Sequence, residues 1–203
     1  MRVLITGFGP FPGAPFNPSA ALAKALTRRR RPAFAGIERV VHAFATTYAS
    51  VDRDLPKLFA QKPNIVLMFG VAGRRRQLCI ETRARNAVSL LFPDASGHRP
   101  QHGAIVLGGP AALKGNAPFA CLAGAAGTKA RISRDAGNYL CNYVYWRALE
   151  QVRGTRPLMQ FVHIPPVATK PRLRRRSKKP PTLAQLLKSA EAVLIALIAA
   201  SRR

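Results

Sequence analysis

Three side chains, far apart in the chain, have the types that thiol-based acyl transfer requires: Glu81, Cys141 and His163. Cys141 lies in the stretch Asp135-Ala-Gly-Asn-Tyr-Leu-Cys141-Asn-Tyr-Val-Tyr-Trp146. Its small-residue turn runs into an apolar-periodic segment, which predicts a helix of about four turns ending near Arg153. The sulfur then sits at the start of that helix, where free N–H groups and the positive end of the macrodipole favour an anionic, nucleophilic form. A thiol used in this way needs a base to carry its proton, and the base needs a third group to fix its tautomer. His163, at the end of an apolar run, and Glu81 could fill those two roles. Each residue alone also has a plainer reading. Cys141 fits a buried structural thiol, and Glu81 fits a local counter-charge for Arg75, Arg76, Arg83 and Arg85. What decides is whether the fold gathers all three at one place.

The elements around them predict that it does. Residues 2–6, 37–45, 64–70, 129–133 and 157–164 read as short apolar strands, and 18–27, 51–61, 118–126 and 182–200 as helices. Asn17 and Thr182 are the expected N-caps of the first and last of these helices. Strands alternating with helices at this spacing predict an α/β sheet covered on both faces, with ligands beyond the carboxyl ends of its strands. The proline- and glycine-rich loop after the first strand, the Glu81 segment, the turn before Cys141 and His163 all fall on that rim. Phe8, Phe11 and Phe16 are carried by that stiff first loop, either as a pocket wall or as plugs in the core. The excursion 90–109 reads as a hairpin or extended cover, with His98 and His102 on the surface. His42, inside a strand, reads as structural.

The 203 residues suit a single domain, 1–203, ending in a basic loop at 168–181 and a helix at 182–200. Three cysteines without a C-x-x-C spacing give neither a disulfide framework nor a zinc site, so no metal and no cofactor is expected. The apolar runs fall short of a bilayer span and the N-terminus opens on a strand, so the expected setting is cytoplasmic, without a membrane partner. The unusual property is charge. There are 33 basic residues against 8 acidic ones, a formal net charge of +25. Much of it lies in runs at Arg28–Arg31, Arg74–Arg76 and 170–179, which predict non-specific attraction to nucleic acid.

Taken together, several blocks carry a resemblance. They are Gly7-Phe8-x-Pro10-Phe11-x-Gly13 with Asn17-Pro18-Ser19, then Gly70-x-Ala72-Gly73 with Glu81, Ala84 and Asn86 behind it. Ala136-Gly137-x-Tyr139-x-Cys141-Asn142 and Phe161-Val-His163-Ile-Pro165 follow. In this order they resemble type I pyroglutamyl peptidase, also called pyrrolidone-carboxylate peptidase, over most of the chain. The resemblance implies a three-layer α/β/α sandwich and a cysteine exopeptidase that removes an N-terminal pyroglutamyl residue from peptides. It implies Cys141 as nucleophile, His163 as base and later acid, and Glu81 as orienting acid. It further implies Phe8 and Phe11 as walls for the pyrrolidone ring, with Asn17 and the backbone of Val71 at the ring's polar edge. Arg75 falls near the active site, and assembly is expected as a dimer or tetramer. This chain departs from the family pattern at Arg74, Thr82 and Val71. The alternative is a catalytically degenerate member that binds nucleic acid or acidic partners through its arginine runs.

Overall fold

The first apolar run forms β1 (Arg2–Phe8), buried from its second residue onward, and the chain then crosses into α1 (Pro18–Thr27). Asn17 caps α1 by accepting the Ser19 N–H, as expected of an Asn one residue before a helical proline. A 3₁₀ turn at Pro32–Phe34 leads to β2 (Glu38–Phe44), α2 (Tyr48–Ala60) and β3 (Ile65–Val71). Two short strands follow, β4 (Leu78–Glu81) and β5 (Arg83–Arg85), and β5 pairs with β6 (Ala112–Lys114). The remaining elements are α3 (Phe119–Ala126), β7 (Ala130–Ser133), α4 (Leu140–Val152), β8 (Leu158–Ile164) and α5 (Leu183–Ser201). The structure, a computed structural model, describes residues 1–11, 15–127, 130–154, 157–167 and 180–203. The basic run 170–179 therefore lies outside the described residues.

One six-stranded sheet, in the order β2-β1-β3-β8-β4-β7, organises the molecule. Its strands alternate apolar residues toward two separate cores, because successive side chains leave opposite faces. Val3, Ile5, Ile65, Leu67, Phe69, Val162 and Ile164 pack beneath α1, α3 and α5. Leu4, Val66, Met68 and Phe161 face the other way, with α2 and α4. The result is the expected α/β/α sandwich.

Three features differ from the sequence reading. The segment holding Glu81 is a sheet strand: β4 runs antiparallel to β8 and parallel to β7, in an otherwise parallel sheet. Four residues flanked by arginines carry too little periodicity to announce a strand. Helix α2 begins three residues before the expected start, capped by Thr47, whose hydroxyl accepts the Ser50 N–H at 3.1 Å. By length and composition alone α5 is long and apolar enough to cross a bilayer, where the apolar runs are expected to fall short of a span. In this fold α5 is a core helix. Leu186, Ala190, Val193, Leu194, Leu197 and Ile198 are buried, and a full capping box of Thr182 and Gln185 begins it.

The excursion 90–109 contains no strand or helix, and side chains pin it down. Asp94 accepts the N–H groups of Tyr48 at 3.0 Å, Ser96 at 2.9 Å and His98 at 3.1 Å. Asn86 exchanges two hydrogen bonds with the Val106 backbone. His98 and His102 are exposed, and His42 lies 3.3 Å from Asp54 with its ring against Phe44.

Candidate active site

The parallel register of β3 and β8 places Gly70 opposite His163, and the antiparallel register of β8 and β4 places Cys79 on the other side of His163. Gly70, His163 and Cys79 thus form one row across three strands. Glu81 is two residues further along β4, on the same face as Cys79, and approaches His163 diagonally. Such diagonal neighbours lie within reach of long side chains. The Glu81 carboxylate, fully buried, lies 2.8 Å from His163 Nδ1, and the imidazole itself is only 4 % exposed.

Cys141 arrives from the helix layer. It is the second residue of α4, whose N-cap Tyr139 supplies no side-chain cap, unlike Asn17, Thr47 and Thr182. The first turn therefore keeps N–H groups that a capping side chain would otherwise occupy. The sulfur comes down onto Gly70. A Cβ added there would lie 2.6 Å from Cys141 Sγ and 2.7 Å from Phe161 Cζ. Only a residue without a side chain leaves room for the sulfur above the partner of His163. Buried Asn142, next in the helix, fixes this approach: it accepts the Arg85 N–H at 2.8 Å and donates to the carbonyls of Arg85 and Ala87. Ser89 N–H donates to Asn138 O at 2.6 Å and Tyr139 OH to Pro93 O at 2.7 Å, so the cover 86–93 also holds the turn before Cys141.

Electrostatics follow from this packing. Burial lowers the His163 pKa, but hydrogen bonding and charge from Cys141, then from Glu81, outweigh it and raise it to about 9. Arg75 lies 3.5 Å from the same Glu81 oxygen, while its other nitrogen donates to Ser133 Oγ at 2.8 Å and it also binds the Asp135 carbonyl. It therefore joins the Glu81 strand to the turn leading into α4. The backbone carbonyl of Glu81 accepts from both Tyr145 OH and Gln160 Nε2, each at 3.0 Å. The second carboxylate oxygen of Glu81 is buried without a hydrogen-bond partner among the described residues.

The remaining candidates are distributed around this group. Val71 follows Gly70 at the end of β3. Phe11 packs edge-on against Tyr139, with ring centroids 6.0 Å apart, and so borders the start of α4. Phe8 is only 4 % exposed and its ring lies against Phe44 in the core, while its N–H binds Ser19 Oγ at 3.0 Å. Asn17 accepts from Ser19 Oγ at 2.7 Å as well as capping α1. Phe16 is exposed. Sequence reasoning did not single out the supporting roles of Gly70, Asn142, Tyr145 and Gln160. A glycine ending a buried apolar strand was the one available sign, since it marks a close approach.

The same arrangement of elements recurs in known proteins. The sequence profile described as Pyroglutamyl peptidase matches residues 1–203. The chain is 35 % identical over 175 residues to the pyrrolidone-carboxylate peptidase of Erwinia tasmaniensis, covering 81 % of this chain and 78 % of the relative. It is 33 % identical over 169 residues to pyrrolidone-carboxylate peptidase 1 of Ralstonia nicotianae, covering 80 % and 77 %. Among solved structures, pyroglutamyl peptidase I of Bacillus amyloliquefaciens superposes with a TM-score of 0.83 at 26 % identity, over 98 % of this chain and 97 % of that one. The pyrrolidone carboxyl peptidase of Thermococcus litoralis gives 0.84 at 26 % identity, over 96 % and 92 %. With the whole chain matched in sequence and in fold, this protein belongs to the pyroglutamyl peptidase family of cysteine peptidases.

Proposed function

We propose that the chain hydrolyses the amide bond after an N-terminal pyroglutamyl residue of peptides, with Cys141 as nucleophile, His163 as proton carrier and Glu81 as its orienting acid. The observation that carries this reading is the buried imidazole held by Glu81 on Nδ1 and influenced by the Cys141 sulfur. With a pKa of about 9, His163 holds its proton through neutral pH, so a cation stands beside the sulfur and a proton is ready for the leaving amine. The sulfur attacks the acyl carbonyl, and the N–H groups at the start of α4 are suited to the resulting oxyanion. His163 then protonates the departing amine, the C–N bond breaks, and an acyl-enzyme remains. The now neutral imidazole takes a proton from water, whose oxygen displaces the sulfur and frees pyroglutamate.

The lactam is flat and neutral, so its recognition needs ring faces and a few amide hydrogen bonds. Phe11, half buried beside Tyr139, and Phe8, at the end of β1, are the aromatic residues for this purpose. Asn17 uses its carbonyl oxygen on Ser19, which leaves its NH₂ to donate to a lactam carbonyl. The backbone of Val71 lies at the end of the strand over which the sulfur sits. The intact set of Cys141, His163 and Glu81 favours a working peptidase over an inert binding protein. Residues 1–203 act as one unit in this reading, and assembly as a dimer or tetramer belongs to it. Leu91, Phe92 and Leu107, exposed on the excursion 90–109, are apolar surface of the kind that supports self-association.

The test is cleavage of a fluorogenic pyroglutamyl amide. Turnover should be present in the wild type, abolished by thiol alkylation, and absent from a folded Cys141→Ala variant. An inert wild type, or turnover that survives in Cys141→Ala, would overturn the assignment.

A further inference from the structure

At the rim of the sheet opposite the site, the chain concentrates positive charge that its own acids do not match. After α1 it runs Arg28-Arg29-Arg30-Arg31, turns through Pro32–Phe34 and enters β2, with Arg39 as the second residue. Arg30, Arg31, Pro32, Phe34, Ala35 and Arg39 line a shallow, open depression on this rim. Two contacts fix Arg39 in its lining. Arg39 donates to the Arg29 carbonyl at 2.6 Å, and its guanidinium lies 4.8 Å from the centroid of the buried Phe34 ring. Arg29 and Arg31 both take their ion pair from one carboxylate, Glu191. Arg28 and Arg30 are exposed and form no salt bridge among the described residues. Of the five arginines 28–31 and 39, only Arg29 and Arg31 are neutralised by Glu191, while the nearby Glu38 is taken by Arg2.

We propose that this arginine-lined depression is a binding site for the phosphodiester backbone of nucleic acid, separate from the peptidase site. Guanidinium forks match phosphate oxygens bidentately, and 24 of the 33 basic residues are arginines. A net charge of +25 supplies the long-range attraction that a densely charged polyanion feels most strongly. Phe34 is covered by Arg39 and cannot stack on a base, so the site reads phosphate and not sequence. An acidic peptide fits less well, since beyond the guanidiniums only Pro32, Ala35 and the covered Phe34 are available for its side chains. The two sites leave each other free. Arg39 is level with Ile65 through Val3, and Gly70, beneath the Cys141 sulfur, is five residues further, about 17 Å along the strand.

Fluorescence anisotropy of labelled oligo-dT against the full chain, over a range of salt, tests the proposal. The wild type should bind with an affinity that falls steeply with salt. In Arg28→Ala/Arg30→Ala/Arg39→Ala, affinity should drop on the order of tenfold or more, and the log–log salt slope should fall by about 2, at ~0.7 per lost phosphate contact. Turnover of a small pyroglutamyl amide, or thermal unfolding if the enzyme proves inert, reports separately that the variant is folded. Should the triple variant fail to fold, Arg28→Ala/Arg30→Ala, which touches only exposed side chains, should still lower the affinity and the slope. Wild-type affinity and slope in the folded variant would overturn the assignment, as would displacement of oligo-dT by polyglutamate at equal charge concentration.

Discussion

The two rims of the sheet use charge in opposite ways. At the Cys141 rim, one buried acid, Glu81, is matched by His163 at 2.8 Å and Arg75 at 3.5 Å, and side-chain donors hold its backbone carbonyl. At the Arg39 rim, guanidiniums outnumber the carboxylates of Glu191, shared by Arg29 and Arg31, and Glu38, paired with Arg2. Burial is what separates the cases. A charge removed from water must be partnered, and that partnering shifts pKa values and orients groups for chemistry. Charges left in water stay nearly independent and act through their sum, which salt screens. One rim is therefore sensitive to single atoms, and the other to the number of charges.

Substitutions at the first rim should sharpen this contrast, beginning with the largest effect. Cys141→Ala or His163→Ala should lower kcat/KM by roughly 10⁴-fold or more with the fold retained, as checked by thermal unfolding and turnover of the fluorogenic amide. Glu81→Gln keeps the shape but removes the charge, and should cost about 10²- to 10⁴-fold. It should also move the alkaline limb of the rate profile. In the wild type that limb should fall near pH 9, where His163 loses its proton; without the Glu81 charge it should shift to lower pH. An unmoved limb would mean that another group governs it. The same linkage acts on stability. The His163 pKa is raised above its unfolded value of about 6.5, so its contribution is complete below that pH and lost as pH rises toward 9. Thermal unfolding of the wild type against His163→Gln, at pH 6 and above pH 9, should show the wild-type advantage shrinking at the higher pH.

Gly70→Ala comes next. A methyl 2.6 Å from the sulfur must displace it, which should lower kcat sharply and cost about 1–3 kcal/mol in stability by denaturant unfolding. Tyr145→Phe is the smallest. It removes one of two donors to the Glu81 carbonyl, for about 1 kcal/mol of stability. If its kcat falls while KM is unchanged, the carbonyl's hold on Glu81 matters to chemistry as well as to folding.

Much of this was legible in the sequence, for identifiable reasons. The central strands are continuous apolar runs, the caps at Asn17 and Thr182 have the residue types that caps require, and Cys141 follows a turn of small residues. These signals are local. What stayed hidden depends on partners distant in the chain. The strand holding Glu81 exists because β8 and β7 flank it, and Gly70 matters because a helix seventy residues later lowers a sulfur onto it. Phe8 shows the same limit: a loop aromatic could wall a pocket or fill the core, and only packing against Phe44 reveals how deeply it sits.

The direction of β4 has a further effect. Because side chains alternate along a strand, a slip of one residue between β4 and β8 would turn Glu81 away from His163 and into the greasy layer under α3 and α5, with no cation to receive it. Correct zippering of the outermost strands and assembly of the Glu81–His163 pair are then a single event. A molecule with a frayed or misaligned margin should be inactive, not sluggish, and enzyme assay during refolding becomes a direct clock for the arrival of that margin.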